Sequence, residues 1–166
     1  MRLSIKPLRN SDTKRIIDII LPIEQLEFGV PITIEDQPDL EDIETHYITQ
    51  GGNFWGAVVD DELCGTIGLL RFGENQAAVR KMFVRKEFRG KEFGLAVALL
   101  KQLITYSREG GISEIYLGTV DILKAAIRFY EKNGFVEVDK NELPVDFPLM
   151  KLDNIYFKLD LGNENH

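Results

Sequence analysis

Residues 76–84 read QAAVRKMFV, residues 85–94 read RKEFRGKEFG, and residues 95–106 read LAVALLKQLITY. The first run alternates, as a strand does. The last places Leu95, Leu99, Leu103 and Tyr106 on one helical face. Between them, two glycines four apart frame a lysine and a glutamate behind an arginine. A loop of glycine and cations entering a helix is a seat for an anion. The helix N-terminus offers unpaired N–H groups and partial positive charge, and glycine lets the backbone approach without a Cβ in the way. Two better-known phosphate loops are absent: there is no G-x-x-x-x-G-K-[ST], and no G-x-G-x-x-G closing a parallel βαβ unit near the start.

The neighbouring patterns extend outward from this joint. LSIKPL (3–8) alternates, and SDTKRIIDIIL (11–21) has helical spacing behind the capping residues Asn10, Ser11 and Asp12. Residues 22–40 hold three prolines and read as loop with a short helix. LEDIETHYITQ (40–50) reads as a second helix closed by Gly51-Gly52. NFWGAVV (53–59) and LCGTIGLLRF (63–72) form a hairpin around DDE, and Gly73-Glu74-Asn75 turns into the strand at 76–84. Past Gly110-Gly111 come a buried strand SEIYLGTV (113–120), a helix ILKAAIRFYEK (122–132) capped by Asn133-Gly134, and the strands FVEV (135–138) and NIYFKLDL (154–161) flanking a proline-bearing loop. The order β-α-α-β-β-β-α-β-α-β-β predicts an α+β fold, one domain over residues 1–166, with a mixed sheet. The strands at 77–84 and 114–120, joined by a helix, should run parallel.

Composition narrows the function. The 166 residues hold 20 Lys and Arg against 27 Asp and Glu, a net charge of −7, which argues against nucleic acid as a partner. No apolar run is long enough to span a membrane and the start has no signal-peptide pattern, so a cytoplasmic protein is expected. One cysteine, Cys64, excludes an internal disulfide, and His46 and His166 show no metal-ligand spacing, so no metal is expected. Charge is unevenly placed. Residues 16–70 carry twelve acids and no Lys or Arg, whereas RKMFVRKEFRGK (80–91) carries six cations and one acid. Adjacent blocks of opposite sign suggest a site that takes an anionic ligand at one end and a cationic one at the other.

RKMFVRKEFRGKEFGLAVALL (80–100), IYLGTV (115–120) and AAIRFYEKNGF (125–135) together resemble the GNAT superfamily of acyl-CoA-dependent N-acetyltransferases. That family carries [QR]-x-x-G-x-[GA] at its strand-loop-helix joint and A-x-x-x-Y-E-K-x-G-F later, in this order. The detailed resemblance covers about residues 77–138. It implies acetyl-CoA as cosubstrate and a small-molecule or peptide amine as acceptor, with transfer by direct attack. It further implies pantetheine contact from Met82, Phe83 and Val84, with the Met82 N–H facing the thioester oxygen to stabilise the oxyanion. Arg89, Gly90, Lys91, Glu92, Phe93, Gly94 and Leu95 match the diphosphate loop, Ala126 opens the second motif, and Tyr130 matches the tyrosine that protonates the departing thiolate.

Two positions depart from the pattern. Glu92 replaces the middle glycine, and Ala78 stands where many relatives carry a catalytic glutamate. The base is left open between Glu27, Glu74 and an ordered water. Cys64, in an apolar strand, reads as packing and not as a nucleophile. The acid-rich segment favours a cationic acceptor, and a homodimer is compatible with the composition. Two other readings stay open: a non-catalytic acyl-CoA-binding module on the same fold, and an interaction domain without cofactor.

Overall fold

The computed structural model describes residues 2–90 and 93–162. Seven strands form one mixed sheet in the order β1-β2-β3-β4-β5-β7-β6. They are β1 (Leu3–Pro7), β2 (Asn53–Val59), β3 (Glu62–Arg71), β4 (Gln76–Val84), β5 (Glu114–Thr119), β6 (Val136–Val138) and β7 (Ile155–Asp160). The helices are α1 (Thr13–Leu21), α2 (Leu95–Glu109) and α3 (Lys124–Lys132). β1 to β4 form an antiparallel meander. β4 and β5, joined through α2, run parallel as expected.

Alternation along β2 builds two cores. Trp55, Ala57 and Val59 point to the α2 side, where Leu95, Leu99 and Leu103 meet them. Phe54 and Val58 point to the other side, against Ile16, Ile19, Ile20 and Ile23 of α1 and its extension. Those isoleucines recur at the spacing of one helical face. Burying each contributes about 1.5–3 kcal/mol. Cys64 is fully buried on the α2 side, and burial pushes its thiol pKa up, with the Glu62 carboxylate adding to the effect. It is a packing residue, as the strand context indicates.

One expected element takes a different form. The helix read over 40–50 is a 3₁₀ turn at Pro38–Glu41 followed by a π-wound turn at Glu44–Ile48. The apolar face survives, because Leu40, Ile43 and Tyr47 are buried. What changes is the winding: Thr49 N–H reaches Glu44 O at 2.8 Å and Gly52 N–H reaches Tyr47 O at 2.9 Å, both five residues back. Thr45, Ile48 and Thr49 are β-branched and favour α-helix weakly, so tertiary burial sets the geometry here. Likewise α1 runs on into a π-wound turn at Pro22–Glu27, which carries Glu24 and Glu27 toward the C-terminal end of β4. Among the described residues, no helix is long and apolar enough to cross a membrane.

Candidate functional site

β4 and β5 pair only at Gln76–Glu114, Ala77–Ile115 and Ala78–Tyr116. Beyond that point β4 stays with β3 as far as Val84, while β5 stays with β7 as far as Thr119. The sheet therefore splits, and a cleft of about 530 Å³ opens between Val79–Phe83 on one side and Leu117–Val120 on the other. Ala126 and Tyr130 of α3 line the same cleft.

A bulge shapes the β4 wall. From Thr66 to Gly68 on β3 there are two steps, but their partners Phe83 and Arg80 on β4 are three apart. The extra residue is accommodated at Lys81, which has φ of 54°, a left-handed conformation costing a side-chain-bearing residue about 1–2 kcal/mol. Thr66 Oγ1 donates to the Lys81 carbonyl at 2.8 Å and fixes the distortion. Val79 and Met82 pack on the α2 side. The successive side chains Arg80 and Lys81 both reach the α1 side, toward Met150 and Gln37 respectively.

Lys81 ends in a buried polar chain. Its Nζ, on a side chain only 6% exposed, donates to Gln37 Oε1 at 2.6 Å and lies 3.8 Å from Asp39 Oδ2. Gln37 Nε2 donates to Glu24 Oε1 at 2.9 Å, and the Tyr47 hydroxyl donates to Asp39 Oδ2 at 2.6 Å. Burial lowers the Lys81 pKa, while the nearby Asp39 carboxylate opposes the shift. Burial also raises the pKa of Glu24 at the cleft wall, against the hydrogen bond from Gln37.

Tyr130 is buried against Phe129, Phe135 and Phe157, with 8% exposure. Burial, reinforced by the Asp153 charge, pushes its pKa up to about 12. Asp153 lies in the loop before β7 and faces the same cleft. It can sit there because position 118 is glycine: a Cβ would stand 2.5 Å from Asp153 Oδ2. Burial pushes the Asp153 carboxyl up to about 6, although Arg80 and Lys81 oppose the shift.

The loop leading into α2 has the backbone form the sequence suggests. Gly90 has φ of 120° and Gly94 has φ of 64°, and a Cβ at either would meet nothing within 4 Å. The backbone is open to a ligand at both. Phe93 packs edge-on to Phe88 at 5.7 Å, and Leu95 is buried in the core, so only its backbone faces the loop. Lys91 and Glu92 lie outside the described residues. Arg89 has a partner the sequence did not suggest. Its Nη2 donates to Glu27 Oε1 at 2.8 Å, its Nη1 pairs with the other oxygen, and its Nε donates to Val84 O at 2.8 Å.

The hydrogen bond from Arg89 holds the Glu27 carboxyl below the usual carboxylate range, which makes it a weak base. Glu74 is exposed in the β3–β4 turn, away from the residues lining the cleft. Of the twelve acids in residues 16–70, two line the cleft, Glu24 and Asp36. Among the described residues, no cluster of three or more His, Cys, Asp or Glu has metal-binding geometry. The sequence did not single out Arg80, Lys81 or Asp153, which line the cleft. The only hint was the cation block itself.

Residues 17–135 match the model of the acetyltransferase (GNAT) family. A GNAT-family acetyltransferase from Staphylococcus aureus Mu50 superposes with a TM-score of 0.93 at 38% identity, covering 97% of this chain and all of that one. PaiA N-acetyltransferase from Thermoplasma acidophilum, solved with coenzyme A, shares the fold at a TM-score of 0.77 and 20% identity, over 96% of this chain and 99% of that one. N-acetylaspartate synthetase of Danio rerio is 35% identical over 106 residues, 63% of this chain and 37% of that protein. The chain thus spans well under two thirds of that relative's length.

Proposed function

The chain belongs to the GNAT family of acetyltransferases, and we propose that it moves acetyl from acetyl-CoA to a primary amine by direct attack within a ternary complex. The observation that carries this is the split between β4 and β5, with Tyr130 on its wall and an open glycine backbone at the β4–α2 joint. The PaiA structure holds coenzyme A on the same fold. The residues here fit that group: Gly90, Gly94 and the first turn of α2 offer free approach and N–H groups to a diphosphate, and the strand edge of Met82 to Val84 offers its backbone to an amide-bearing arm.

In this reading the Met82 N–H stabilises charge developing on the thioester oxygen. The amine nitrogen forms the new C–N bond as the C–S bond breaks. Tyr130 faces the leaving sulfur. A phenol near pKa 12 stays protonated at neutral pH, so it acts first as a hydrogen-bond donor to a thiolate whose own pKa is near 8.5. Asp153, raised to about 6 and across the cleft from β4, accepts the proton that the attacking amine gives up. It fills the role left open at Ala78. Of the acid-rich segment, Glu24 and Asp36 line the cleft and offer carboxylates to the ammonium of an acceptor, beside the cations Arg80, Lys81 and Lys151 that line it too.

Thiol release from acetyl-CoA over a panel of amines, beside calorimetric titration with CoA, tests the reading. Binding of CoA with no thiol release on any amine would leave the non-catalytic acyl-CoA module. Absence of CoA binding would remove both.

A further inference from the structure

Resting on the N-acetyltransferase reading, we propose that Arg80 forms an anion subsite in the acceptor half of the cleft, and that the acceptor is an aminocarboxylate whose carboxylate Arg80 takes. Arg80 and Lys81 are adjacent cations aimed at the same side by one bulge, yet their surroundings differ. Lys81 is satisfied by Gln37 and Asp39. Arg80 meets a single hydrogen-bond acceptor among the described residues, the Met150 thioether Sδ at 3.0 Å. A guanidinium carries five N–H donors in a planar fork that matches a carboxylate, and a thioether is a weak acceptor. The Asp153 charge acts on Arg80 at longer range, but among the described residues no carboxylate comes within ion-pair distance of the guanidinium, so the fork has no anion in direct contact.

The charges opposite complete the specificity. Glu24 and Asp153 line the same cleft, and among the described residues neither forms an ion pair with Arg80. They face the ammonium, while Arg80 faces the acid. A ligand with both groups on a short frame satisfies all three, whereas a polyamine leaves Arg80 unpaired and opposed by like charge. The anion is not a phosphate of the acetyl donor. The glycine loop that suits a diphosphate begins beyond Val84, four residues along β4 from Arg80, or roughly 13 Å at strand rise.

The test compares L-amino acids with their α-amides and decarboxylated amines, for example leucine, leucinamide and isopentylamine, in wild type, Arg80→Ala, Arg80→Gln and Arg80→Lys. Thiol release and calorimetric binding in the presence of CoA are both read. Wild type should favour the carboxylate form. Arg80→Ala and Arg80→Gln should reduce that preference about tenfold or more, mainly in KM, the scale of a lost charge-assisted hydrogen bond. KM for acetyl-CoA should not move, and Arg80→Lys should recover part of the preference. Equal losses on all three amines, or a wild type that favours amide or amine, overturn the subsite. A raised KM for acetyl-CoA with unchanged amine preference reassigns Arg80 to the donor and also overturns it. Carboxylate-selective binding lost in Arg80→Ala, without thiol release on any amine, supports the subsite and overturns the transferase reading.

Discussion

Arg89 and Glu27 form a two-pronged ion pair that ties the loop before α2 to the π-wound extension of α1. The guanidinium also lies 5.9 Å above the Phe28 ring. If Arg89 meets the donor's diphosphate, as its place in the proposed diphosphate loop implies, donor binding must compete with Glu27 for the guanidinium. Arg89→Ala should weaken acetyl-CoA binding by about 1–2 kcal/mol, less than the full value of a hydrogen bond to a charged group because a half-exposed pair is given up first. Glu27→Gln should tighten binding a few-fold by releasing the guanidinium. Calorimetry at two salt concentrations checks both. If Arg89→Ala leaves the affinity and its salt dependence unchanged, Arg89 belongs to the latch alone.

Tyr130→Phe should preserve the fold, because the ring contacts with Phe129, Phe135 and Phe157 involve the ring and not the hydroxyl. Acetyl-CoA affinity should hold, while kcat falls roughly 10²-fold or more, the usual scale for a lost general acid. An unchanged kcat would place Tyr130 in the core and favour a non-catalytic module.

The contrast between these residues shows what the sequence made legible. Seven strands and three α-helices were readable because alternation and the 3.6-residue period reflect burial directly, as β2 and α1 illustrate. Tyr130 and the glycine loop were readable through motifs. Arg89 was visible as a cation but not as Glu27's partner, since 62 residues separate them in the chain. Asp153 lies in a loop without periodicity, and its approach depends on Gly118, a strand glycine with no local signal. The Lys81 bulge is a register event between two strands, and a single strand's sequence does not encode register with its neighbour.

Lys81 offers a stability test. Lys81→Ala should remove the partner of Gln37 Oε1 and leave Asp39 as a partly buried carboxylate with only the Tyr47 hydroxyl. Breaking a buried pair from one side costs about 3–5 kcal/mol, and relief of left-handed strain does not offset it, since alanine keeps a Cβ. A Tm lower by roughly 6–20 °C is expected at about 2–4 °C per kcal/mol for a chain of this size. A change of a degree or less would show that the chain of contacts from Glu24 to Tyr47 carries no net stability.

Asp153 links activity and stability through pH. Its carboxyl is raised from 3.8 to about 6 in the folded protein, so the folded state favours the protonated form. The stabilisation this gives is present below the unfolded pKa, near 4, and is lost as pH rises through about 6. Above pH 6 the folded protein holds a charged, largely buried carboxylate at a cost of roughly 2–3 kcal/mol, an upper bound from about two pKa units. Asp153→Asn should therefore stabilise the protein at pH 8 and have little effect at pH 4. If Asp153 accepts the proton from the amine, kcat/KM of the wild type should rise through a limb near pH 6. The asparagine variant should lose that limb together with most of its turnover, gaining stability as it loses function. Denaturant melts at pH 4 and pH 8, set beside pH–rate profiles, decide the matter. A variant that is no more stable at pH 8, or that keeps the limb, removes Asp153 from the reaction.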